Sequence, residues 1–580
     1  MSTDPREDAG GFLTQRQREA VEWAGDLFLA ACPGSGKTRT AAVRVGRLMR
    51  RGVPVAACSY TNVGVSAIRD VISRELGITP DARHFVGTLH GFLLRYVTYP
   101  FGHLISGTST PMLLPDESPR WPVILIDGDA RKRVPISSFR MRPDRSLRVQ
   151  NLPLKLGASA EQVLESGADD ALERKIEMLR KGVVTFDDAM FVALRVLKLH
   201  PDIAKAVSAR FDEILVDEAQ DTSELQLACL KELSDTGRLK SLTLVGDVEQ
   251  SISAYTGASA QGCEALAVHR GLARIELVEN HRSSQKICDV AVHFCDRFEP
   301  DKAVGPDAAH PVDPEILVYQ ARDPRTVVEL FLSRLAELGE EASSAAILAR
   351  SNGLCEEING DALPVEVAPR PLALGRSVAA ARGAGTPQKR DIGLVERLVC
   401  LATWGHDELA LVDDRRLLRH VAMDLLGSTP SLETDLRAWI QESASLLDEH
   451  VKRLTESPAK RGGVVLRSSA AQEGHQAKAV FSTVPKQLRV QTVHDIKGES
   501  RTAALVVVDR TRGRRGQSSL WAQPLLGEVV APEDAEELRI AYVALTRARR
   551  YCAVALPNDC GDEVISAFEG VGFRLHLPSA

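Results

Sequence analysis

Apolar residues alternate between two textures along the chain. Between residues 13 and 95, TQRQREAVEWA spaces its apolar positions as a helix face does, DLFLAA is a short continuous apolar run, GKTRTAAVRVGRLMRR is amphipathic at helical spacing, and VPVAACSYT is a second strand-like run. Strands alternating with crossover helices predict a parallel sheet. From about Pro100 to Leu156 the pattern turns Pro-rich and β-branched, as in PVILIDG, and helical spacing returns over 160–210. EILVDEAQ, LTLVGD and ARIELVEN then resume the strands, so an insert interrupts the first α/β unit. A second alternating region begins near Glu276 with ILVYQA and SAAILARS, breaks at VAPRPLALGRSVAAARGAGTPQKR, and is helix-rich from about 389 to 460. It resumes with LRVQTVH, TAALVVVD, the helix EELRIAYVALTRARR and the strand YCAVAL. The expected fold class is α/β, with two parallel-sheet domains each split by an inserted subdomain. The expected boundaries are 1–98 and 201–275 for the first domain, 99–200 for its insert, 276–360 and 481–580 for the second domain, and 361–480 for a mostly helical second insert.

Composition narrows the class. A chain of 580 residues holds about three or four units of roughly 100 to 200 residues, which excludes a single small binding module. Lys and Arg total 72 against 78 Asp and Glu, a net charge of -6, so contact with nucleic acid requires a local basic groove rather than a global field. One local run stands out: Arg131, Lys132, Arg133, Arg140, Arg142, Arg145 and Arg148 face only Asp144 in sequence, and they predict a positive surface on the first insert. The ten cysteines form no C-x-x-C pair, which argues against a zinc ribbon or iron–sulfur cluster and predicts reduced core thiols. MSTDPREDAGG lacks a basic start followed by an apolar stretch, and no window reaches the roughly 20 apolar residues of a membrane span, so a cytoplasmic protein without membrane contact is expected.

The chemistry begins at Ala31, Cys32, Pro33, Gly34, Ser35, Gly36, Lys37 and Thr38, which fit G-x-x-x-x-G-K-[ST] with Ala31 in place of the first Gly. This segment follows an apolar strand and opens a helix, where backbone N–H groups and a helix N-terminus can meet phosphates, Lys37 can neutralise them and Thr38 can hold Mg²⁺. Such a loop needs an acidic partner at another strand end. ILVDEAQD supplies Asp217 for the metal and Glu218 to orient or deprotonate water. Two acids after a strand are, taken alone, an ordinary solvated strand end; their pairing with the Lys37 loop gives them a use.

An ordered series of motifs accompanies these two: LTQRQREAV, ACPGSGKTRT, SYTNVGVSAI, GTLHGF, VDEAQDTSELQ, VGDVEQSISAYTGA, ENHRSS, LARSN, QTVHDIKGES and EELRIAYVALTRA, from about residue 13 to 550. Together they resemble the UvrD/Rep-type helicases of superfamily 1. The resemblance implies two RecA-like P-loop NTPase domains and a DNA helicase that uses ATP and Mg²⁺ to move 3′ to 5′ on single-stranded DNA. It implies that Gln17 reads adenine, that Arg39 extends the nucleotide site, and that Gln250 senses the γ-phosphate. Arg282 and Arg547 would reach across the cleft from the second domain, where planar guanidinium groups stabilise the charge of phosphoryl transfer. His281 stands where an adenine-stacking aromatic ring is common, and Glu499 follows Gly498 where the family places a later Glu.

Strand-binding positions of the family fall on Tyr60, Thr61, Asn62, His90, Tyr255, Thr492 and His494, and translocation needs such platforms and donors. Ser253, Ala254, Tyr255 and Thr256 depart from the family's aromatic, small, Trp, Arg order, and the missing arginine at Thr256 predicts weaker coupling between DNA and ATP. Residues 551–580 are fewer than the roughly 50 of an appended domain, so no fused nuclease is expected there. The short second insert resembles the compact UvrD-like proteins encoded beside nucleases in bacterial antiviral defence, such as the Gabija helicase subunit. Expected partners are single-stranded and tailed double-stranded DNA, in DNA repair or defence, and a partner nuclease. An alternative function is a DNA-sensing regulatory ATPase of a nuclease complex that unwinds little. An unrelated phosphate-loop kinase would leave the paired arginines unexplained.

Overall fold

The computed structural model describes residues 13–108, 111–113, 122–127, 130–150, 152, 159–252, 259–297, 299–321, 323–359, 365, 367–384, 389–405, 412, 414–459, 462–481, 488–509, 516–531 and 534–576. Tyr255 and its neighbours Ser253, Ala254 and Thr256 lie outside them, as do the side chains of Arg131, Lys132 and Arg133.

Two six-stranded sheets organise the chain, and every strand pairing in both is parallel. The first comprises β1 (Leu27–Ala31), β2 (Val55–Ser59), β3 (Phe85–Thr88), β4 (Glu213–Asp217), β5 (Ser241–Gly246) and β6 (Ala273–Leu277), in spatial order β6-β1-β5-β4-β2-β3. The second comprises β7 (Glu315–Tyr319), β8 (Ala345–Ala349), β9 (Arg489–Thr492), β10 (Arg501–Val507), β11 (Ala548–Pro557) and β12 (Arg574–Leu575), in order β9-β8-β10-β11-β7-β12. Central strands such as LFLAA, EILVD and SLTLVG read as continuous apolar runs because helices cover both faces. Each sheet accordingly has two cores. Phe92, Phe211 and Leu242 lie on one side of the first sheet and Val45, Ile72 and Val245 on the other. Phe294, Trp521 and Tyr542 face Phe331, Leu505 and Tyr551 across the second.

The expected first insert divides in two. Hairpins Pro122–Asp127/Ala130–Pro135 and Phe139–Met141/Leu147–Val149 pack with helix Ala160–Arg180 around their own core of Val123, Val134, Phe139, Val163 and Met178. Helix Phe186–Leu199, placed in the insert by its position in the chain, instead buries Met190, Leu194 and Leu197 in the core of the first sheet. Likewise Glu276 and Leu277, expected to open the second domain, end the first sheet. The second insert is a helical cluster, Pro369–Ala384, Lys389–Trp404, Arg415–Ser428, Leu436–Val451 and Ala477–Phe481, around Trp439, Leu425 and Phe481. All ten cysteines are free, eight of them buried, and no helix among the described residues is long and apolar enough to cross a membrane.

Parallel pairing puts the C-terminal ends of all six first-sheet strands on one edge. The register aligns Ala30 with Gly246 and Asp217 with both Ser59 and Val245, so loops distant in sequence meet there. A buried ion pair holds the opposite, N-terminal end of β4. Arg44, on helix Lys37–Arg50, holds both carboxylate oxygens of Glu213 at 2.7 and 2.9 Å and also donates to the carbonyls of Ala20 and Trp23. It thereby ties helix Gln15–Glu22 and the phosphate-loop helix to β4. Removing one member leaves a buried charge alone. Glu213→Ala should therefore destabilise the protein by about 3–5 kcal/mol, read as a lower first transition in thermal melting; an unshifted transition would mean that this end of the sheet is held by packing alone.

Candidate active site

The loop leaving β1 is shaped by two glycines in the left-handed region, Gly34 (φ 74°) and Gly36 (φ 72°). A Cβ at Gly34 would lie 2.5 Å from the Cβ of Arg282 and 2.6 Å from Asn280 Oδ1, so only glycine lets the second domain approach the loop this closely. Cys32 N–H donates to the carbonyl of Leu277 at the end of β6, and the Ser35 hydroxyl donates to the carbonyl of Cys32. Lys37 and Thr38 follow as the first residues of helix Lys37–Arg50. Arg39 lines the same cavity and pairs with Glu75 at 2.9 Å.

Opposite the loop, Glu218 sits at φ 55°, one of two described non-glycine residues with positive φ. Such strain, persisting at the end of a buried strand, marks a position the surroundings over-determine. Lys37 Nζ donates to Glu218 Oε2 at 2.8 Å, Thr38 Oγ1 donates to Asp217 Oδ2 at 2.9 Å, and Gln220 Nε2 donates to Glu218 Oε2 at 2.6 Å. Asp217 Oδ1 is buried with no hydrogen-bond partner. Burial pushes the Asp217 carboxyl up, to about 7, reinforced by the Glu218 charge. Glu218 is also buried, but Lys37 and then Lys497 outweigh that effect and pull it down. Burial alone would lower Lys37, and Glu218 with Asp217 more than reverse it.

The second domain closes the cavity. Arg547 is 1 % exposed; it donates to Gln250 Oε1 at 3.2 Å and to the carbonyl of Val543. Arg282 donates to the carbonyl of Thr546 at 3.1 Å. Both guanidinium groups are pushed down by burial, Arg547 also by Arg282. Glu218, Gln250, Arg282 and Arg547 line one cavity of about 580 Å³ with residues 34–39 of the loop. Lys497, which motif reading did not single out, crosses between the domains to both oxygens of Asp221 (2.8 and 2.6 Å) and to the carbonyl of Gln250 (2.8 Å). Its place in HDIKGES was the available signal.

Three further residues of the expected nucleotide site have protein partners of their own. Gln17 is buried, its Nε2 donating to the carbonyl of Ser35 and its Oε1 accepting from the backbone N–H of its N-cap Thr14, so its amide braces the phosphate loop. The backbone N–H of His281 donates to the Gly34 carbonyl while its side chain is exposed and outside the cavity lining. Glu499 is likewise outside it, paired with Arg489 at 3.2 Å and Arg501 at 2.5 Å.

A second cavity, about 450 Å³, adjoins the first, and Tyr60 and Asp221 line both. Asn62 and His90 line it, and Thr61 caps helix Asn62–Asp70 through Gly64 N–H. His90 stacks on Phe186 with ring centroids 4.0 Å apart, and burial holds its imidazole neutral, with a pKa of about 4. Phe186 was missed by sequence reasoning; an aromatic ring at the first position of a helix capped by Thr185, 47 % exposed, was its only local signal. Thr492 turns inward to Asp495 Oδ2 at 2.7 Å, and His494 Nε2 meets the carbonyl of Ile252 at 2.9 Å across the domains. Three arginines of the first insert's basic run, which the sequence predicts to be unopposed, have acidic partners. Arg140 pairs with Asp187 at 2.9 Å, and Arg142 and Arg148 with Glu224 at 3.4 and 3.8 Å, because helices far along the chain bring those acids to the hairpin.

Residues 13–268 match the UvrD/REP helicase N-terminal domain. The ATP-dependent DNA helicase UvrD1 of Mycobacterium leprae is 29 % identical over 304 residues, 48 % of this chain and 39 % of that protein. DNA helicase II of Escherichia coli is 28 % identical over 294 residues, 48 % of this chain and 39 % of the relative. The ATP-dependent DNA helicase PcrA of Staphylococcus aureus is 25 % identical over 359 residues, 59 % of this chain and 48 % of the relative. The chain thus spans less than half the length of each of these relatives.

A carboxyl whose pKa is raised by folding lowers stability progressively as pH climbs above its unfolded value, about 3.9. For Asp217 that loss is complete above about 7. Asp217→Asn should therefore melt higher than the unmodified protein at about pH 8, with the gap shrinking towards about pH 4. Melting curves across that range check this, and a variant that melts lower at the alkaline end would show that Lys37 and Thr38 stabilise the carboxylate more than burial disfavours it.

Proposed function

We propose, on the premise that this chain belongs to the UvrD/Rep-type superfamily 1 helicases, that it hydrolyses ATP in the cleft between its two sheets and uses the cycle to move along single-stranded DNA and open duplexes. One observation carries the reading: Lys37, Thr38, Asp217, Glu218, Gln250, Arg282 and Arg547, drawn from residues 37 to 547, converge around one buried cleft. In this reading Lys37 and the loop N–H groups hold the terminal phosphates, and Glu218 orients and deprotonates the attacking water. Arg282 and Arg547 stabilise charge on the transferring phosphoryl group, and Gln250 senses it.

Asp217 Oδ1, buried and without a partner beside the Thr38 hydroxyl, suits a hard cation held by oxygen. No group of three or more His, Cys, Asp and Glu among the described residues is arranged to hold a metal alone, which fits an ion that arrives with the nucleotide. Thr38 and Asp217 would hold Mg²⁺, which when bound neutralises phosphate charge.

DNA would run through the cavity of Tyr60, Asn62, His90 and Phe186, with bases stacked against the rings. Tyr60 and Asp221 line both cavities, and Lys497 grips Asp221, so strand occupancy can reach the nucleotide side through two side chains. The direction, 3′ to 5′, follows the resemblance in motif order. Strand displacement on 3′-tailed and 5′-tailed duplexes tests it. Opening only the 3′-tailed duplex is expected, whereas DNA-stimulated turnover with no displacement on either would select the regulatory-ATPase reading.

Lys37→Ala should abolish ATP turnover. Arg547→Ala should slow it by about 10³ to 10⁵ with ADP affinity nearly unchanged, because its partner is the transferred group; full DNA-stimulated turnover in either variant would remove the assignment. Phe186→Ala should weaken single-strand binding by roughly 1 to 3 kcal/mol while the melting temperature stays near that of the unmodified protein, the ring being half exposed. A selective fall in melting temperature would make it a core residue instead.

A further inference from the structure

Behind the phosphate loop, away from the nucleotide cavity, a cluster of charged side chains joins the two domains. Arg297, which follows helix Gln285–Ala291, belongs with the second sheet, because that helix packs against β11 and helix Ala535–Leu545. Its guanidinium crosses to the first domain: Nη2 donates to Asp247 Oδ1 at 2.8 Å and to the carbonyl of Ala31, at the root of the phosphate loop, at 3.4 Å. Nη1 donates to Asp301 Oδ1 at 2.5 Å, and Asp301 Oδ2 accepts from Tyr542 Oη at 3.2 Å. The guanidinium also lies 5.5 Å from the centre of the Tyr542 ring. Tyr542 sits in helix Ala535–Leu545, just before Arg547.

Asp247 has a second duty. Its Oδ2 accepts from Gln250 Nε2 at 2.7 Å, while Gln250 Oε1 accepts from Arg547 at 3.2 Å. A carboxamide has one donor end and one acceptor end, so its orientation is fixed only if both neighbours are held. Asp247 is 3 % exposed, and a carboxylate so buried needs a cationic partner to hold it in place. Arg297 is that cation. Burial would lower the affinity of Arg297 for its proton, but Asp247, Tyr542 and Asp301 raise it, so the guanidinium stays charged.

We propose that Arg297 is a positioning residue for ATP hydrolysis: it holds Asp247, and through Asp247 the Gln250 carboxamide, in register with the helix that delivers Arg547. Arg297 touches no part of the nucleotide cavity and lines a separate one of about 830 Å³. Its three anchors span both domains, so the carboxamide is aligned only while the domains are together. Hydrolysis is thereby confined to the closed cleft. The proposal rests on the reading of that cleft as an ATP site.

The test is steady-state ATP hydrolysis by the full chain with saturating single-stranded DNA, for Arg297→Ala, Gln250→Ala and the double variant. Loss of turnover in Lys37→Ala, with robust turnover in the unmodified protein, first establishes the ATP site itself; its failure would reject that reading rather than this one. Arg297→Ala should then lower kcat roughly ten- to a hundredfold, the scale of coupling within one hydrogen-bonded network, with KM and ADP affinity changed by less than about twofold. In the Gln250→Ala background, Arg297→Ala should change kcat by less than about twofold. Arg297→Lys, which keeps the charge but can reach one carboxylate at a time, should recover part of the rate. Losses that multiply in the double variant, or an Arg297→Ala variant with unchanged kcat, overturn the proposal. If Arg297→Ala does not fold, Asp301→Asn serves in the same cycle, since it weakens the second-domain anchor and leaves Asp247 intact; additivity with Gln250→Ala overturns the proposal there as well.

Discussion

Charge buried between two sheets must be compensated where it lies, and this constraint governs the arrangement of the chain. The cleft gathers Lys37, Arg282, Arg547 and Lys497 against Asp217, Glu218 and Asp221, most of them buried. Apart from Lys37, which pairs with Glu218 inside the first domain, these cations come from the second domain and the carboxylates from the first. Lys497 and Arg297 of the second domain reach Asp221 and Asp247 of the first, and His494 and Arg539 hold the carbonyls of Ile252 and Ser251. An interface rich in ion pairs and backbone bonds is specific when closed. In the proposed function, a nucleotide carrying several negative charges would arbitrate such a balance.

The segment after β5 is where these influences meet. Gln250 receives Arg547 on its oxygen and rests its amide nitrogen on Asp247, while Lys497 takes its backbone carbonyl. Relative movement of the domains alters the Arg547 and Lys497 contacts together. Asp221, which shares Lys497, also lines the cavity of Tyr60, His90 and Phe186. The two cavities are therefore linked through Asp221 and Lys497, a contiguous pair of side chains of the kind that can couple one site to another.

Arg140, Arg142 and Arg148 attach the first insert to helices Phe186–Leu199 and Glu224–Ser234 of the first domain, so the hairpin of Phe139–Val149 is fastened beside the second cavity, which Arg140 also lines. The second insert keeps a core of its own around Trp439, independent of either sheet.

The sequence by itself determined the two parallel-sheet domains, the placing of an insert in each, and the phosphate loop. Those features are written in neighbouring residues: apolar runs of strand length, helical spacing, and Gly34, Gly36, Lys37 and Thr38 side by side. It also located Glu218, Gln250, Arg282 and Arg547, because ordered motifs survive as short contiguous strings. What tertiary structure alone decided was who meets whom. Gln17 turned to Ser35, Thr492 to Asp495, Glu499 to Arg489 and Arg501, and the basic hairpin to Asp187 and Glu224. Phe186 joined His90 from ninety-six positions away, Lys497 found Asp221 and Arg297 found Asp247 for the same reason. The partner of a buried charge is chosen by the order of strands in a sheet and by which loops that order brings to one edge, and no periodicity along the chain records that order.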